Sequence, residues 1–201
     1  MSDQPLVSVV INCFNGEKYL KEAVDSVINQ TYKNWEIIFW DNQSTDQSAK
    51  IFKNYNDDRL KYFRATEHSK ILYKARNFAL EKVKGQFIAF LDVDDWWLPK
   101  KLEKQIPLFK NPEIGLVYGN CWIYFEKKNK RKIYRNKTLP TGMVLNELLN
   151  DYLIGSPSYV IRKKYLENLD YKFNDNFHII GDFDLNVRLA VKYKFDCVQS
   201  P

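Results

Sequence analysis

Three carboxylates crowd into four positions of this chain, at Asp92, Asp94 and Asp95. Like charges this close together are costly unless a cation neutralises them. On an extended backbone Asp92 and Asp94 would point to the same side and could share one divalent ion. Mn²⁺ or Mg²⁺ held by few protein oxygens keeps positions open for the oxygens of a substrate phosphate. An acidic turn that caps the next helix is the structural alternative.

Two other polar residues are candidates for contact with the same substrate. Asp41 ends an apolar run and could accept hydrogen bonds from a nucleotide base or a ribose; an Asx-turn or a helix cap would also explain it. Arg76 lies in a helix-period segment before the acidic cluster. It could face the same crevice or form an ordinary surface ion pair.

A carboxylate far down the chain is the candidate general base. Asp182 lies in the segment GDFDL, at the start of a predicted helix. A base there could take a proton from an acceptor hydroxyl. Capping the helix is the alternative, and we interpret Asp184 as structural.

The segments that carry these residues alternate between short apolar runs and helix-period stretches. This alternation predicts an α/β fold with a mostly parallel sheet. Ligands of such sheets bind beyond the carboxyl ends of the strands, where Asp41 and Asp92 both lie. Asn15 is predicted to cap the first helix. The predicted strands cover residues 6–12, 35–40, 60–63 and 86–91, and the helices between them lie near residues 19–28, 49–52 and 70–83.

The second half of the chain has a different pattern of predicted helices and strands. A helix at residues 100–109 precedes an apolar run at 116–125, and short strands are predicted near Ile133 and at 159–161. These strands indicate a small mixed or antiparallel addition to the same sheet. A helix at 182–194 closes the chain. We expect one domain over residues 1–201, with a nucleotide-binding half at 1–98 and an acceptor-binding half at 99–201.

Composition restricts the class of protein. An apolar content of 45% in 201 residues is enough for a sizeable core, and we see neither a signal peptide nor a membrane-spanning run. Three cysteines without CxxC spacing predict a reducing, cytoplasmic setting. The net charge of +6 suggests an anionic partner. Much of it lies in the basic run at 126–137, either a solvated hairpin tip or a contact with an anionic membrane surface.

Three blocks of the chain resemble glycosyltransferase family 2. They are residues 7–46, residues 74–97, which contain LDVDDWW, and residues 181–190, GDFDLNVRLA. Their combination in this order is far more specific than any one of them. The resemblance implies the GT-A fold, a Rossmann-like sheet flanked by helices, and an inverting reaction.

The resemblance also implies roles for particular residues. Cys13 and Asn15 would line the nucleotide pocket, Asp41 would contact the base, and Arg76 the base or the phosphates. Asp92-Val93-Asp94 would be the DxD motif, with Asp92 and Val93 towards the nucleotide and with Asp92 and Asp94 towards a metal. Asp182 matches the base of the family. These residues are assigned by their motif positions in this chain.

The implied activity is sugar transfer from a nucleotide-diphosphate donor, UDP by family habit, to a hydroxyl of a saccharide or lipid-linked acceptor. Cell-surface polysaccharide or lipopolysaccharide synthesis is the expected setting. A metal-dependent nucleotidyltransferase is one alternative, but residues 12–16 hold a single Gly and no basic residue to grip phosphates. A non-catalytic anion-binding or membrane-binding module is another, and it leaves the carboxylates unexplained. We expect no nucleic-acid partner, because an acidic crevice repels phosphate backbones.

Some positions depart from the family pattern. Gly181 stands where relatives commonly have Glu, and Phe78 where they commonly have Gly. Relatives frequently complete the metal shell with a later histidine, and no histidine follows Asp182. We therefore expect a chain that is truncated at Pro201.

Overall fold

The computed structural model describes residues 4–201, and a seven-stranded sheet forms its centre. Residues 4–201 contain nine strands, of which all but β6 and β7 belong to this sheet. They are β1 (Val7–Cys13), β2 (Trp35–Asp41), β3 (Leu60–Arg64), β4 (Phe87–Phe90), β5 (Ile114–Gly119), β6 (Trp122–Phe125), β7 (Lys130–Ile133), β8 (Val160–Arg162) and β9 (Lys194–Val198). The order across the sheet is β3-β2-β1-β4-β8-β5-β9. Only β8 runs against its neighbours, so the predicted mostly parallel sheet is confirmed.

Helices cover both faces of this sheet. They are α1 (Leu20–Ile28), α2 (Ser48–Lys53), α3 (Leu72–Leu80), α4 (Lys101–Gln105), α5 (Leu145–Asn150), α6 (Lys163–Glu167) and α7 (Gly181–Lys192). Alternate residues of β1 point into two separate apolar clusters: Val10 belongs to the cluster with α3 and α7, and Val9 and Ile11 to the one with α1. Burial on both faces explains why these strands read as continuous apolar runs.

The apolar run at 116–125 is two strands, not one unit. β5 belongs to the central sheet, whereas β6 pairs with β7 in a separate two-stranded sheet. The Asn120 side chain fixes this break, because its amide bonds both the N–H and the C=O of Arg135 at the base of the hairpin. The expected addition to the same sheet is therefore right for β8 and wrong for the hairpin.

The chain does not close on a helix, as the sequence pattern suggested. Helix α7 ends at Lys192, and β9 follows it and pairs with β5 in parallel. The segment KFDCV alternates in polarity, and Phe195 enters the core while its neighbours stay partly exposed. Alternation with a period of two over five residues indicates a strand. The predicted helix, at 182–194, therefore extends too far and includes the first residue of β9.

The direction of β8 decides which residues meet at the edge of the sheet. Ala89 of β4 lies opposite Val160 of β8, and the two strands are antiparallel. The start of β8 therefore lies beside the end of β4, at the edge where β1 and β2 also end. Within residues 4–201 no helix is long and apolar enough to cross a membrane.

Candidate active site

The acidic segment after β4 is a tight turn. The backbone N–H of Asp95 donates to the carbonyl of Asp92 at 3.0 Å, so residues 92–95 are not extended. The prediction that Asp92 and Asp94 alternate along an extended strand is therefore wrong, because the hydrogen bond from Asp95 to Asp92 folds these residues into a turn. Asp94 is exposed, and Asp92 is partly exposed.

The same turn confines a third carboxyl group. Burial, and then the charges of Asp92 and Asp94, raise the pKa of Asp95 to about 6. No group of three His, Cys, Asp or Glu side chains between residues 4 and 201 forms a complete metal site. The donors present, an exposed Asp94 beside Asp92, are the hard oxygens that Mn²⁺ and Mg²⁺ prefer, and a cation would relieve the crowding.

Arg76 of α3 is paired with this turn. Its guanidinium is almost fully buried and donates to Asp92 Oδ1 at 2.5 Å. The rings of Phe90 and Phe173 lie 5.2 and 5.7 Å from the guanidinium carbon. Burial opposes the charge on Arg76, but the carboxylate of Asp92 raises its pKa. Arg76 therefore stays charged inside the protein, facing the acidic turn as the sequence suggested.

Asp182 lies in the first turn of α7 with its carboxylate held from both sides. The Tyr73 hydroxyl shares its proton between Oδ1 at 3.2 Å and the Ile179 carbonyl at 2.6 Å, and Tyr152 donates to Oδ2 at 2.5 Å. The helix begins at Gly181 with Ile180 as its capping residue, so Asp182 is not the helix cap. The carboxylate opens into a groove of about 520 Å³. The groove is lined mainly by Leu148, Leu149, Tyr152, Ile179, Ile180 and Phe183.

Asp41 lies at the end of β2 and is fully buried. Its Oδ1 accepts from the backbone N–H of Ser44 at 2.7 Å, and its Oδ2 accepts from the Tyr62 hydroxyl at 2.6 Å. The bond to Ser44, three residues on, stabilises the turn after β2, the kind of structural role that the sequence left as an alternative. A contact between Asp41 and a nucleotide base stays a prediction.

The loop after β1 carries the two other predicted pocket residues. The thiol of Cys13 is buried, which raises its pKa, and the carbonyl of Cys13 accepts from Asn42 N–H at 2.8 Å. Asn15 is exposed with a left-handed φ of 54°, and its side chain accepts from Thr45 N–H at 2.8 Å. Asn15 therefore stabilises the loop after β2. The prediction that it caps α1 is wrong, because α1 begins further along with Tyr19 as its capping residue.

The loops after β1 and β4 touch each other. A Cβ atom at Gly16 would lie 3.0 Å from Val93 Cγ2 and 3.0 Å from Cys13 Sγ. A side chain at Gly16 would require the side chain of Cys13 or Val93 to shift by a few tenths of an ångström. This contact places Val93 of the acidic turn beside the loop of Cys13 and Asn15.

Comparison with known proteins identifies the family of the chain. Residues 8–185 match the family model described as "Glycosyl transferase family 2". The chain belongs to glycosyltransferase family 2. It is 34% identical to the UDP-Glc:alpha-D-GlcNAc-diphosphoundecaprenol beta-1,3-glucosyltransferase WfgD of Escherichia coli, over 85% of this chain and 66% of that protein. It is also 34% identical to an uncharacterized glycosyltransferase of Methanocaldococcus jannaschii, over 98% and 69% respectively.

Solved structures share the fold. S. aureus TarS 1–349 in complex with UDP superimposes with a TM-score of 0.76 at 21% identity, over 96% of this chain and 60% of that one. A mannosyltransferase from Pyrobaculum calidifontis in complex with GDP-Man and Mn²⁺ gives 0.76 at 19% identity, over 98% and 56%. The predicted GT-A fold is confirmed. The chain spans 56% to 69% of the length of these relatives.

One departure from the family 2 pattern has a steric cause. A Cβ atom at Gly181 would lie 2.5 Å from a ring carbon of Tyr73. The ring of Tyr73 occupies the space that a Glu side chain would need at that position. Loss of that side chain allows Tyr73 to lie against α7 and reach Asp182.

Several polar residues of this family 2 site were not predicted. Tyr73 lies three residues before Arg76 on α3, so helical spacing could have found it. Tyr152 lies in an irregular segment without any period, and no sequence signal marks it. Asn12, Ser156 and Tyr159 have buried polar atoms without hydrogen-bond partners among residues 4–201. Asn12 lies near the end of β1, and the other two lie just before β8.

Proposed function

We propose that this chain transfers a sugar, with inversion, from a UDP-sugar to a hydroxyl of a saccharide on a lipid-linked acceptor. The observation that carries the proposal is that α3 connects the acidic turn to Asp182, since Arg76 bonds Asp92 while Tyr73 bonds Asp182. WfgD is named for a UDP-Glc donor and an acceptor on diphosphoundecaprenol, and TarS was crystallised with UDP. Both relatives support this donor class. Cell-surface polysaccharide synthesis is the corresponding setting.

Asp182 acts as the general base in this proposal. The acceptor hydroxyl enters from the groove beside α7, and its proton passes to the carboxylate as its oxygen attacks the anomeric carbon. Tyr73 and Tyr152 hold the carboxylate in one orientation, so no rearrangement is needed when the acceptor binds. The bond to the diphosphate breaks on the opposite side of the ring, which inverts the configuration. A positioned base of this kind contributes about 10²–10⁴-fold.

Arg76 and the acidic turn serve the leaving group. The buried guanidinium faces the negative charge that develops on UDP, in surroundings of low dielectric that strengthen the attraction. Asp92 and Asp94 would hold the divalent ion, which would supply further neutralisation of the diphosphate. We assign Cys13, Asn15, Asp41 and Val93 to the nucleotide end of the same edge.

The β6–β7 hairpin is the proposed contact with a membrane that carries the acceptor. Its first strand exposes four consecutive large apolar side chains, from Trp122 to Phe125. Its tip and second strand carry five exposed basic residues between 127 and 132. Aromatic side chains beside basic ones suit the surface of an anionic bilayer. We therefore place the protein peripherally, at the cytoplasmic face of the membrane.

Melting the protein with UDP, with and without Mn²⁺, tests the donor site. UDP at about ten times its dissociation constant should stabilise the protein by about 1.4 kcal/mol, and the shift should need the ion. Asp94→Asn should lose the part of the shift that depends on Mn²⁺. Asp182→Asn should keep the whole shift and lose sugar transfer. Sugar transfer at the wild-type rate by Asp182→Asn would exclude Asp182 as the base. The absence of any UDP shift in the wild-type protein would exclude the donor class.

A further inference from the structure

Two buried hydroxyl groups at the start of β8 have no bonding partner beyond each other in the part of the chain that the structure describes. Tyr159 is 0% exposed and Ser156 is 7% exposed, and within residues 4–201 neither hydroxyl has a hydrogen-bond partner outside this pair. A buried hydroxyl without a partner is costly, and most such groups in native proteins are bonded. A bound ligand would satisfy both.

The fold places this pair beside the acidic turn. Because β8 is antiparallel to β4, Tyr159 lies next to Phe90, with its ring edge-on at 6.0 Å between centroids. Phe90 also packs against the guanidinium of Arg76 and comes two residues before Asp92. The Tyr159 hydroxyl therefore lies at the edge where the donor diphosphate is proposed to bind.

The loop that carries the pair is fixed by its other polar groups. Trp97 Nε1 donates to the carbonyl of Pro157 at 3.0 Å, and Gln105 Nε2 donates to the carbonyl of Ser158 at 2.8 Å. The hydroxyl of Ser158 donates to the carbonyl of Gly155 at 2.7 Å. The loop is thus bonded at successive residues, and the hydroxyls of Ser156 and Tyr159 stand out as the exceptions.

The electrostatic surroundings keep the pair neutral. Burial raises the pKa of Tyr159, Arg76 lowers it, and Asp182 raises it again. A hydrogen bond from the Ser156 hydroxyl lowers the pKa of Tyr159, so the two hydroxyls lie side by side. Tyr159 thus lies within electrostatic range of both the leaving-group side and the base. Neutral hydroxyls donate and accept, which suits the hydroxyls of a sugar ring.

We propose that Ser156 and Tyr159 form the subsite that binds the hydroxyl groups of the donor sugar. The inference rests on the proposed function, because the sugar must lie between the diphosphate at Arg76 and the base at Asp182. The charges of both Arg76 and Asp182 act on the Tyr159 hydroxyl, and Ser156 adjoins it. The diphosphate already has a cationic partner in Arg76, so a neutral pair is left for the neutral part of the donor.

Titration calorimetry with UDP, UDP-glucose and UDP-GlcNAc, each with Mn²⁺, tests this subsite. Tyr159→Phe should bind the better of the two nucleotide sugars about tenfold more weakly and bind UDP as the wild-type protein does. Ser156→Ala, the smaller change, should show the same selectivity. Tyr118→Phe is the matched control, since this buried hydroxyl donates to the Pro140 carbonyl at 2.6 Å. It should lower the melting temperature and leave both affinities unchanged.

The outcomes separate this inference from the proposed function. Equal losses for UDP and nucleotide sugar in Tyr159→Phe would assign the hydroxyl to the diphosphate and overturn the sugar subsite. Unchanged affinities in Tyr159→Phe and Ser156→Ala would overturn it as well. If Tyr159→Phe does not fold, the Ser156→Ala result decides alone. A wild-type protein that binds neither UDP nor a nucleotide sugar would overturn the proposed function itself.

Discussion

Tyr73 and Arg76 lie one turn apart on α3, and each bonds a different carboxylate of the site. The Tyr73 hydroxyl, whose proton is shared with the Ile179 carbonyl, lies 3.2 Å from Asp182 Oδ1, and the Arg76 guanidinium donates to Asp92 at 2.5 Å. Residues three apart share one face of a helix. The helix therefore sets the separation between the proposed base and the donor side.

Replacement of Arg76 should lower the stability of the protein. Arg76→Met leaves the carboxylate of Asp92 partly buried without its partner and should lower the free energy of unfolding by about 3 kcal/mol. Lys194→Met breaks an exposed pair with Glu113 and should stay within about 0.5 kcal/mol of wild type. Urea unfolding measures both. An equal cost in the two variants would contradict a special role for the buried pair.

Removal of a hydroxyl that orients Asp182 should slow the reaction without weakening donor binding. Tyr152→Phe keeps the ring against Phe183, 5.8 Å between centroids, and loses only the bond to the carboxylate. We expect kcat to fall about tenfold while the affinity for UDP is unchanged. Tyr165→Phe, whose hydroxyl donates to the Pro112 carbonyl, is the control. A fall in UDP affinity instead of kcat would argue against the orienting role.

A methyl group at Gly181 should collide with Tyr73. Gly181→Ala forces the Tyr73 ring away from α7 and should destabilise the protein by about 1–3 kcal/mol, more than the gain in helix propensity. At Gly155 a Cβ atom would meet no atom within 4 Å, so Gly155→Ala is the matched control. Thermal unfolding of both variants measures the difference. A Gly181→Ala protein as stable as wild type would show that the ring moves freely.

Lys101 should make stability depend on pH. Burial lowers the pKa of Lys101 from 10.5 to about 7 in the folded protein, where the ammonium donates to Gln105 and lies over Trp97. Between about pH 7 and 10.5 the unfolded chain binds more protons at this site, so the contribution of Lys101 to stability improves as pH rises. Below pH 7 the ammonium is charged in both states, and its burial is a full cost.

Lys101→Met removes this cost and keeps the apolar stem. It should stabilise the protein by about 2 kcal/mol at pH 6, less than the full shift gives because water relaxes partly around the ammonium, and the gain should vanish near pH 10. Lys104→Met, an exposed neighbour on α4, should show no such trend. Denaturant unfolding across this pH range decides. A gain independent of pH would assign the effect to packing alone.

The hairpin should bind anionic vesicles through its basic side chains. Changing Lys127, Lys128 and Arg131 to Gln should weaken binding to mixed phosphatidylcholine and phosphatidylglycerol vesicles by about a hundredfold, at about 1 kcal/mol for each charge. Changing Lys50, Lys61 and Lys192 to Gln removes as much charge from exposed positions elsewhere and serves as the control. Vesicle sedimentation at low salt measures both. Equal losses of vesicle binding in the two variants would show that binding depends on the total charge of the protein and not on the hairpin.

The sequence alone determined much of the fold and one side of the site. Apolar runs of strand length, interrupted by helix-period segments, predicted β1 to β4 and the helices between them, because these patterns are local. The turn chemistry after β2 and β4 predicted where Asp41 and Asp92 lie. The position of Arg76 on a helix before β4 was sufficient to predict that it could face the acidic turn.

Only the tertiary structure decided which distant residues meet at that edge. The insertion of β8 between β4 and β5, in the opposite direction, brings Tyr159 beside Phe90 at the end of β4, and the docking of α7 brings Asp182 to Tyr73. Strand order and direction depend on how two buried faces pack over the whole sheet. Periodicity within a segment carries no information about its neighbours in space, so these contacts were not readable from the chain.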